Sequence, residues 1–176
     1  MTMNGETISD RATGDKLTRL RINRLTRGVD VADLVATALM LVALFLPWFV
    51  VTTLTRAGDA SPDGSVSFTW LGHNDYAQSL VNIMIPLGTA GCVFASVLGF
   101  VRSSWAVWLA ACAAYLVGLI GVLLQLSRID SGLLDPPGFS ATTAGLGLWL
   151  YAAAAAVGAS SSGFGIAMYV TGRAER

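Results

Sequence analysis

Four long apolar stretches, separated by polar segments, set the pattern of this chain. The first, Leu34 to Val51, contains no charged residue and ends close after Leu46-Pro47-Trp48-Phe49, a proline beside two aromatic residues. About 20 helical residues, at 1.5 Å each, cross a hydrocarbon core of about 30 Å. The pattern therefore predicts four transmembrane helices, over about 32–53, 80–101, 104–126 and 143–171.

The polar segments predict how these helices connect. Arg102-Ser103-Ser104 has room only for a tight turn, whereas Thr52 to Gln78 is a long loop rich in turn formers. We expect an all-α fold, a four-helix transmembrane bundle of up-down topology over residues 30–172. Residues 1–29 are then a basic or disordered N-terminal tail, and residues 173–176 a short C-terminal tail.

Composition agrees with this class. Of the 176 residues, 54% are hydrophobic and 12% are charged, against about 25% charged residues in typical soluble domains. The formal net charge is zero, so the total charge indicates no partner. Its distribution is more informative, because cytoplasmic segments of membrane proteins carry an excess of lysine and arginine. The basic leader, Arg102, Arg173 and Arg176 fall on one side, which predicts a multi-pass plasma (inner) membrane protein with both termini in the cytoplasm.

The segment before the first span is basic. Residues 1–15 are predicted to be disordered. Lys16 to Arg27 has two interpretations: a helix that lies on anionic lipid, or an ordinary basic flank that orients the first span, which we favour. Nucleic-acid binding is not expected, because the stretch has no aromatic residue.

Two aspartates follow this basic segment. Gly28 is predicted to end the basic run, so that Asp30 caps the first transmembrane helix and Asp33 lies in its first turn, near the positive end of the helix dipole. The alternative makes Asp33 an intramembrane carboxylate. Its place at the edge of the predicted helix favours the capping role.

The long loop holds a strand pattern and one polar cluster. Val66 to Trp70 alternates apolar and polar residues, and either pairs with Val50 to Leu54 as a hairpin or lies on the rim of the bundle; neither interpretation is favoured. His73 and Asp75 are a candidate acid/base pair or weak metal site. A single histidine is a poor ligand set, so a solvated turn is favoured, and we expect no metal and no cofactor.

Small residues recur every four positions in three spans, a pattern that lets helix backbones approach closely. Spans two and three are expected to form a tight antiparallel hairpin. The predicted helix-packing residues are Gly91, Ala95 and Gly99 in span two, Ala110, Ala114 and Gly118 in span three, and Gly158 and Ser162 in span four.

Several polar or unusual residues lie inside the spans. Pro86 is expected to kink span two, and Asn82 lies one turn before it. Cys92 and Cys112 lie at similar depth and are expected to be packing residues without a redox role. Ser160 to Ser162 either line a small pore or bond the carbonyl groups one turn back, which we favour.

Three pieces together carry a resemblance: Leu46-Pro47-Trp48-Phe49, Pro86, and Asp135-Pro136-Pro137-Gly138 before Gly145-Leu146-Gly147-Leu148-Trp149. In them the chain resembles small four-span integral membrane proteins of high-GC Gram-positive (actinobacterial) bacteria, which are largely uncharacterised. The resemblance covers about 30–172. It implies the fold and a bacterial plasma membrane, and it brings no catalytic residues.

Three functions are compared on this basis. The favoured hypothesis is a non-enzymatic accessory or scaffold subunit, with the lipid bilayer and a membrane-protein partner or a second copy as its contacts. The second is a small transporter or channel component, motivated by Ser160 to Gly165 and Asn82. The third is a membrane enzyme that uses His73 and Asp75, and it comes last because no nucleophile and base are visible together.

Overall fold

The computed structural model of the chain describes residues 8–52, 65–70, 80–101, 104–131 and 141–174. Four helices account for most of these residues, and three short strands lie between them. In chain order the elements are α1 (Ile8–Ala43), β1 (Pro47–Thr52), β2 (Ser65–Thr69), α2 (Leu80–Val101), α3 (Trp105–Asp130), β3 (Ala141–Ala144) and α4 (Leu146–Ala174).

Helix α1 is continuous from Ile8 to Ala43, across the position at which the sequence predicts a break. Gly28 lies inside it, with open space where a side chain would be. One glycine costs a helix about 1 kcal/mol relative to alanine, which is too little to end it. Two predictions are therefore wrong: residues 8–15 are helical, and Asp30 lies within the helix and caps no N-terminus.

The end of α1 also differs from the prediction of one apolar helix over Leu34 to Val51. The helix ends at Ala43, and Pro47–Thr52 is strand β1. Pro47 disfavours helical geometry at the residue before it. In addition, the indole N–H of Trp48 donates to the Ala43 carbonyl oxygen at 2.6 Å, which satisfies one of the carbonyl groups left open at a helix end.

The three strands form an antiparallel sheet in the order β2-β1-β3, at the end of the helices where α1 stops. We call this end the sheet end. Val50 of β1 pairs with Ser67 on one side and with Thr143 on the other. The hairpin interpretation of the long loop is confirmed. Strand β3 occupies the start of the predicted fourth span, so that α4 begins only at Leu146 and the prediction of a purely helical fold is incomplete.

Close contacts give the direction of each helix. Side by side, α1 and α4 run antiparallel: Val29 meets Gly165 near one end, and Ala43 meets Gly147 near the sheet end. Helix α2 has the predicted bounds and forms the predicted antiparallel hairpin with α3. Their backbones nearly touch, since a Cβ on Gly88 would lie 2.7 Å from the backbone nitrogen of Gly118.

Most large apolar side chains lie on the outside of the packed helices. Among the described residues, two helices are long and apolar enough to cross a membrane by length and composition, Trp105–Asp130 and Leu146–Thr171. The apolar part of α2, Ile83–Gly99, is shorter. Only 33% of the most apolar stretch of α3 and 28% of that of α4 is buried, so both helices expose most of their apolar surface.

Candidate functional site

A buried carboxyl group lies between α1 and α4. Asp33 is only 4% exposed, although aspartate is almost never buried without partners. The hydroxyl of Tyr115 donates to the backbone carbonyl oxygen of Asp33 at 2.7 Å, which places Asp33 level with the middle of α3. Its neighbours on α4, Ser161 and Ser162, also lie near the middle of their helix. Asp33 is therefore an interior residue of the helix assembly.

Two serines of α4 hold the carboxyl group. The hydroxyl of Ser162 is fully buried and lies 2.7 Å from Oδ2 of Asp33, and the hydroxyl of Ser161 contacts Oδ1. Ser161 also lies 3.1 Å from the carbonyl oxygen of Gly158. Consecutive helical residues point about 100° apart, so the serine pair reaches both oxygens of one carboxyl group from the same turn.

A chain of hydroxyl groups extends from the backbone carbonyl oxygen of Asp33 to α2. Thr37 Oγ1 lies 2.8 Å from the Tyr115 hydroxyl and 2.9 Å from Ser96 Oγ. Because a carbonyl oxygen only accepts, Tyr115 must donate to the backbone of Asp33, and its oxygen is then free to accept from Thr37. Thr37 in turn accepts from Ser96. We call Asp33, Ser161, Ser162, Tyr115, Thr37 and Ser96 the carboxyl cluster, and it joins all four helices.

A second carboxyl group lies one turn away, nearer the end opposite the sheet. Asp30 is half-buried, and the indole N–H of Trp108 donates to its Oδ1 at 3.0 Å. Within the described part of the chain, no lysine, arginine or histidine is hydrogen-bonded to Asp33, whose side-chain partners are the two serines.

Glycines on α4 make room for the aromatic residues of this region. A Cβ on Gly158 would lie 2.3 Å from Cζ of Tyr115, so the tyrosine ring lies flat against the helix backbone. A Cβ on Gly165 would lie 3.0 Å from the indole ring of Trp108 in the same way. Gly158 and Gly165 thus leave space for the Tyr115 and Trp108 side chains, which donate hydrogen bonds to α1.

A smaller polar cluster lies nearer the sheet. The hydroxyl of Tyr151 donates to the Ile85 carbonyl oxygen at 3.0 Å, and Thr89 Oγ1 lies 2.8 Å from both oxygens. The Tyr151 ring contacts Trp48, with ring centroids 5.3 Å apart, and Trp48 contacts Trp70 at 5.0 Å. This cluster connects the start of α4 with the sheet and with the turn of α2 that contains Pro86.

The prediction that Asp33 lies in the first turn of a helix is wrong, because α1 begins 25 residues earlier at Ile8. The same shift moves Asp33 from the edge of the predicted span to the interior. A signal was present in the sequence: a 20-residue span counted back from Leu46, before Pro47, begins at Arg27 and includes Asp33. The partners of Asp33 on other helices carried no such signal.

The serine prediction is correct for two residues of three. Ser160 bonds the Ala156 carbonyl oxygen one turn back at 2.8 Å, and Ser161 bonds that of Gly158 at 3.1 Å, as expected. Ser161 and Ser162 also reach Asp33, which was not expected. The hydroxyl groups of Ser161 and Ser162 therefore connect α4 to α1. A prediction that considers one helix at a time gives no such contact.

The predicted packing residues fall in different surroundings. Gly91 and Ala114 meet between α2 and α3, where a Cβ on the glycine would lie 2.9 Å from the alanine Cβ. Ala110 lies on an exposed face. The remaining five are buried in contacts between helices: Ala95, Gly99, Gly118, Gly158 and Ser162.

The other candidate residues do not form a further site in the part of the chain that is described. His73 and Asp75 lie outside the described residues, and so does the side chain of Asn82. Cys92 and Cys112 are both free thiols, and Cys112 points to the Ala159 carbonyl oxygen of α4 at 3.7 Å. Among the described residues, no group of three or more His, Cys, Asp or Glu side chains is placed to share a metal ion.

Fold and site together define a helical protein with two helices able to cross a membrane and a buried carboxyl group between its first and last helices. Comparison with known proteins adds no family to this description. No protein-family model matches the chain, and no curated protein matches its sequence.

Proposed function

We propose that the chain is a multi-pass protein of the bacterial plasma (inner) membrane, with all four helices crossing the bilayer and both termini in the cytoplasm. In this proposal it acts as a non-enzymatic accessory or scaffold subunit of a membrane complex. Lipid covers most of its helix surface, and a membrane-protein partner or a second copy covers the rest.

The observation that carries the proposal is the apolar exterior of the helices. Val101 is 82% exposed, Phe94 67% and Val157 58%, and many other large apolar side chains of all four helices are exposed to a similar degree. Soluble monomers rarely expose contiguous apolar patches larger than a few hundred Å². In contact with lipid, such a surface avoids the free-energy cost of exposing apolar side chains to water.

The packed interior supports a scaffold role. The largest fully buried side chains are Trp48, Tyr115 and Tyr151, and each makes a hydrogen bond inside the assembly. These side chains occupy the interior as packing residues, and the hydroxyl groups of the carboxyl cluster bond either one another or Asp33. An interior of this kind stabilises a fixed arrangement of helices, which suits a protein that presents its outer faces to partners.

The first experiment tests the membrane part of the proposal. Full-length protein is expressed in a bacterium, membranes are washed with alkaline carbonate, and a reporter active only in the cytoplasm is fused after Arg176. We expect the protein to stay in the membrane until detergent is added, with an active reporter. Release without detergent, or an inactive reporter on protein that is inserted in the membrane, would contradict the proposal.

The second experiment tests the role. Crosslinking in native membranes followed by mass spectrometry should recover one recurrent membrane-protein partner or a second copy of the chain. A protein that remains an uncrosslinked monomer in several mild detergents and in native membranes does not act as a subunit.

A transporter or channel component is the second candidate, and the carboxyl cluster favours it. Ionisable residues within membrane helices are rare, and they commonly mark ion or proton pathways. Asp33 supplies the buried acidic group that such a pathway uses, beside Ser161 and Ser162. Flux of protons or small solutes into liposomes that is unchanged when Ser162 is replaced by leucine would argue against this candidate.

A further inference from the structure

The contacts of Ser161 require more protons than its hydroxyl group has. Its oxygen lies within hydrogen-bonding distance of Oδ1 of Asp33 and 3.1 Å from the Gly158 carbonyl oxygen. A carbonyl oxygen and an ionised carboxylate only accept, and one serine hydroxyl donates one proton. With Asp33 ionised, one of these two contacts therefore has no proton of its own.

A proton on Asp33 gives every contact one donor. Oδ1–H then donates to Ser161, the Ser161 hydroxyl donates to the Gly158 carbonyl oxygen, and the Ser162 hydroxyl donates to Oδ2 across 2.7 Å. We propose that the Asp33 carboxyl group is protonated and that its O–H donates a hydrogen bond to Ser161. This hydrogen bond then holds α1 against α4.

The charges around the cluster agree with a neutral group. Among the described residues, the ionisable side chains that interact with Asp33 are Asp30 on α1, Cys92 on α2 and Tyr115 on α3, and α4 contributes the uncharged serines. Carboxyl, thiol and phenol groups carry no positive charge, so none of these three offsets a negative charge on Asp33. A buried charge without an opposite partner is costly, whereas a protonated carboxyl group needs only hydrogen bonds.

Loss of the proton has a defined structural consequence. The donor from Oδ1 to Ser161 disappears, and a negative charge is left in a region where the described partners are hydroxyl groups. The contact between α1 and α4 then weakens at Asp33, while the sheet still joins the two helices at the other end. The site is thus a proton-dependent contact between helices, whichever partner or solute the protein serves.

Infrared difference spectroscopy of the full-length protein in lipid vesicles tests the proposal directly. A protonated carboxylic acid has a C=O stretching band well separated from the carboxylate bands, and this band shifts when H₂O is replaced by D₂O. We expect the band at neutral pH in the wild type and in Asp30→Asn, and its loss in Asp33→Asn. Asp30 is the matched control, because it lies one turn away on the same helix and bonds Trp108 instead.

A second variant keeps the test decisive when Asp33→Asn fails to fold. Ser161→Ala leaves Asp33 in place and removes the proposed acceptor, so the band should move to higher frequency as its hydrogen bond is lost. A wild-type protein without the band at neutral pH would overturn the proposal. So would a band that persists in Asp33→Asn, or one that Ser161→Ala leaves unmoved.

Discussion

Replacing Gly158 by alanine should destabilise the protein more than any other single methyl group added to α4. The added Cβ would lie 2.3 Å from Cζ and 2.4 Å from Cε1 of Tyr115, distances that real Cβ atoms do not show. The Tyr115 ring is fully buried and cannot swing into solvent. Either α4 moves away from α3, or the ring moves and its hydroxyl leaves Asp33 and Thr37.

The size of the effect follows from these two contacts. Forcing extra atoms into a packed interior costs about 1–3 kcal/mol. The Tyr115 hydroxyl makes hydrogen bonds of 2.7 Å and 2.8 Å, and losing both costs about 2 kcal/mol at about 1 kcal/mol each. Alanine is favoured over glycine in a helix by about 1 kcal/mol, which offsets part of the loss. The net expectation is a loss of about 2–4 kcal/mol in the free energy of unfolding, from these values together.

The assay compares Gly158→Ala with Gly163→Ala, which is five residues later on the same helix and has nothing within 4 Å of the added Cβ. Both variants are purified in one detergent, and the folded fraction after heating is measured by size-exclusion chromatography. Gly163→Ala should match or exceed the wild type, whereas Gly158→Ala should lose its folded fraction at a clearly lower temperature. Equal heat resistance of the two alanine variants would refute the reasoning that the Tyr115 ring lies against Gly158.

Three further predictions test other contacts. Trp48→Phe removes the indole donor to the last carbonyl group of α1 and should lower the free energy of unfolding by about 1 kcal/mol, because one buried hydrogen bond is lost while the Leu46 N–H still donates to the same oxygen at 3.2 Å. Gly145→Ala places a Cβ 2.3 Å from the Pro47 carbonyl oxygen of β1 and should lower the free energy of unfolding by about 1–3 kcal/mol. Gly28→Ala is the control, because nothing lies within 4 Å of the added Cβ, and it should not lower this free energy. Equal effects of the two variants would contradict the contact at Gly145. Leu116 is 45% exposed near the middle of α3. Leu116→Arg should make the free energy of membrane insertion less favourable by about 3 kcal/mol, and the inserted fraction should fall accordingly. Val101→Arg at the end of α2 should insert normally, because a terminal arginine reaches the interface, and equal insertion of both variants would show that α3 does not span.

The sequence predicts a helix well where polar residues bound an apolar run on both sides. Helix α2 has the predicted bounds, and α3 begins one residue after the predicted start of its span, at Trp105, and continues to Asp130. The polar residues around Arg102 give this accuracy, because they cannot continue an apolar helix. Strand β2 was indicated by its alternating pattern, and its partner by the position of the turn formers between them.

The first helix shows where hydropathy stops being informative. Leu, Val and Phe are apolar in a helix and in a buried strand alike, so the hydropathy of the run from Leu34 to Val51 gives no sign of the change at Ala43. The two facts that end the helix are Pro47, which is local, and the bond from Trp48 to Ala43, which depends on the fold of the turn. The depth of Asp33 in the proposed first membrane span depends on this end point.

The carboxyl cluster could be predicted only in part. A buried role for Asp33 was an open alternative, and the polar character of Ser160 to Ser162 was noted. Their meeting depends on α4 lying antiparallel to α1 with one particular register, which places residues 128 positions apart in hydrogen-bonding distance. Gly147 and Gly165 set this register, because Gly147 lies against the Ala43 carbonyl oxygen and Gly165 against the Val29 side chain of α1.

Because α1 is one continuous helix, any rotation of α1 about the sheet end moves its whole length. Because β1 pairs with β3, the strands hold the two helices together at the sheet end, so a separation at Asp33 would open them from the opposite end. Asp33 lies about 15 Å from Ala43 along the axis, and Ile8 about 52 Å, at 1.5 Å per residue. A rotation that displaces Asp33 by about 1 Å therefore displaces Ile8 by about 3–4 Å, by the ratio of these lengths. The amino-terminal half of α1 is a lever arm that magnifies a small opening at the carboxyl group on the proposed cytoplasmic side.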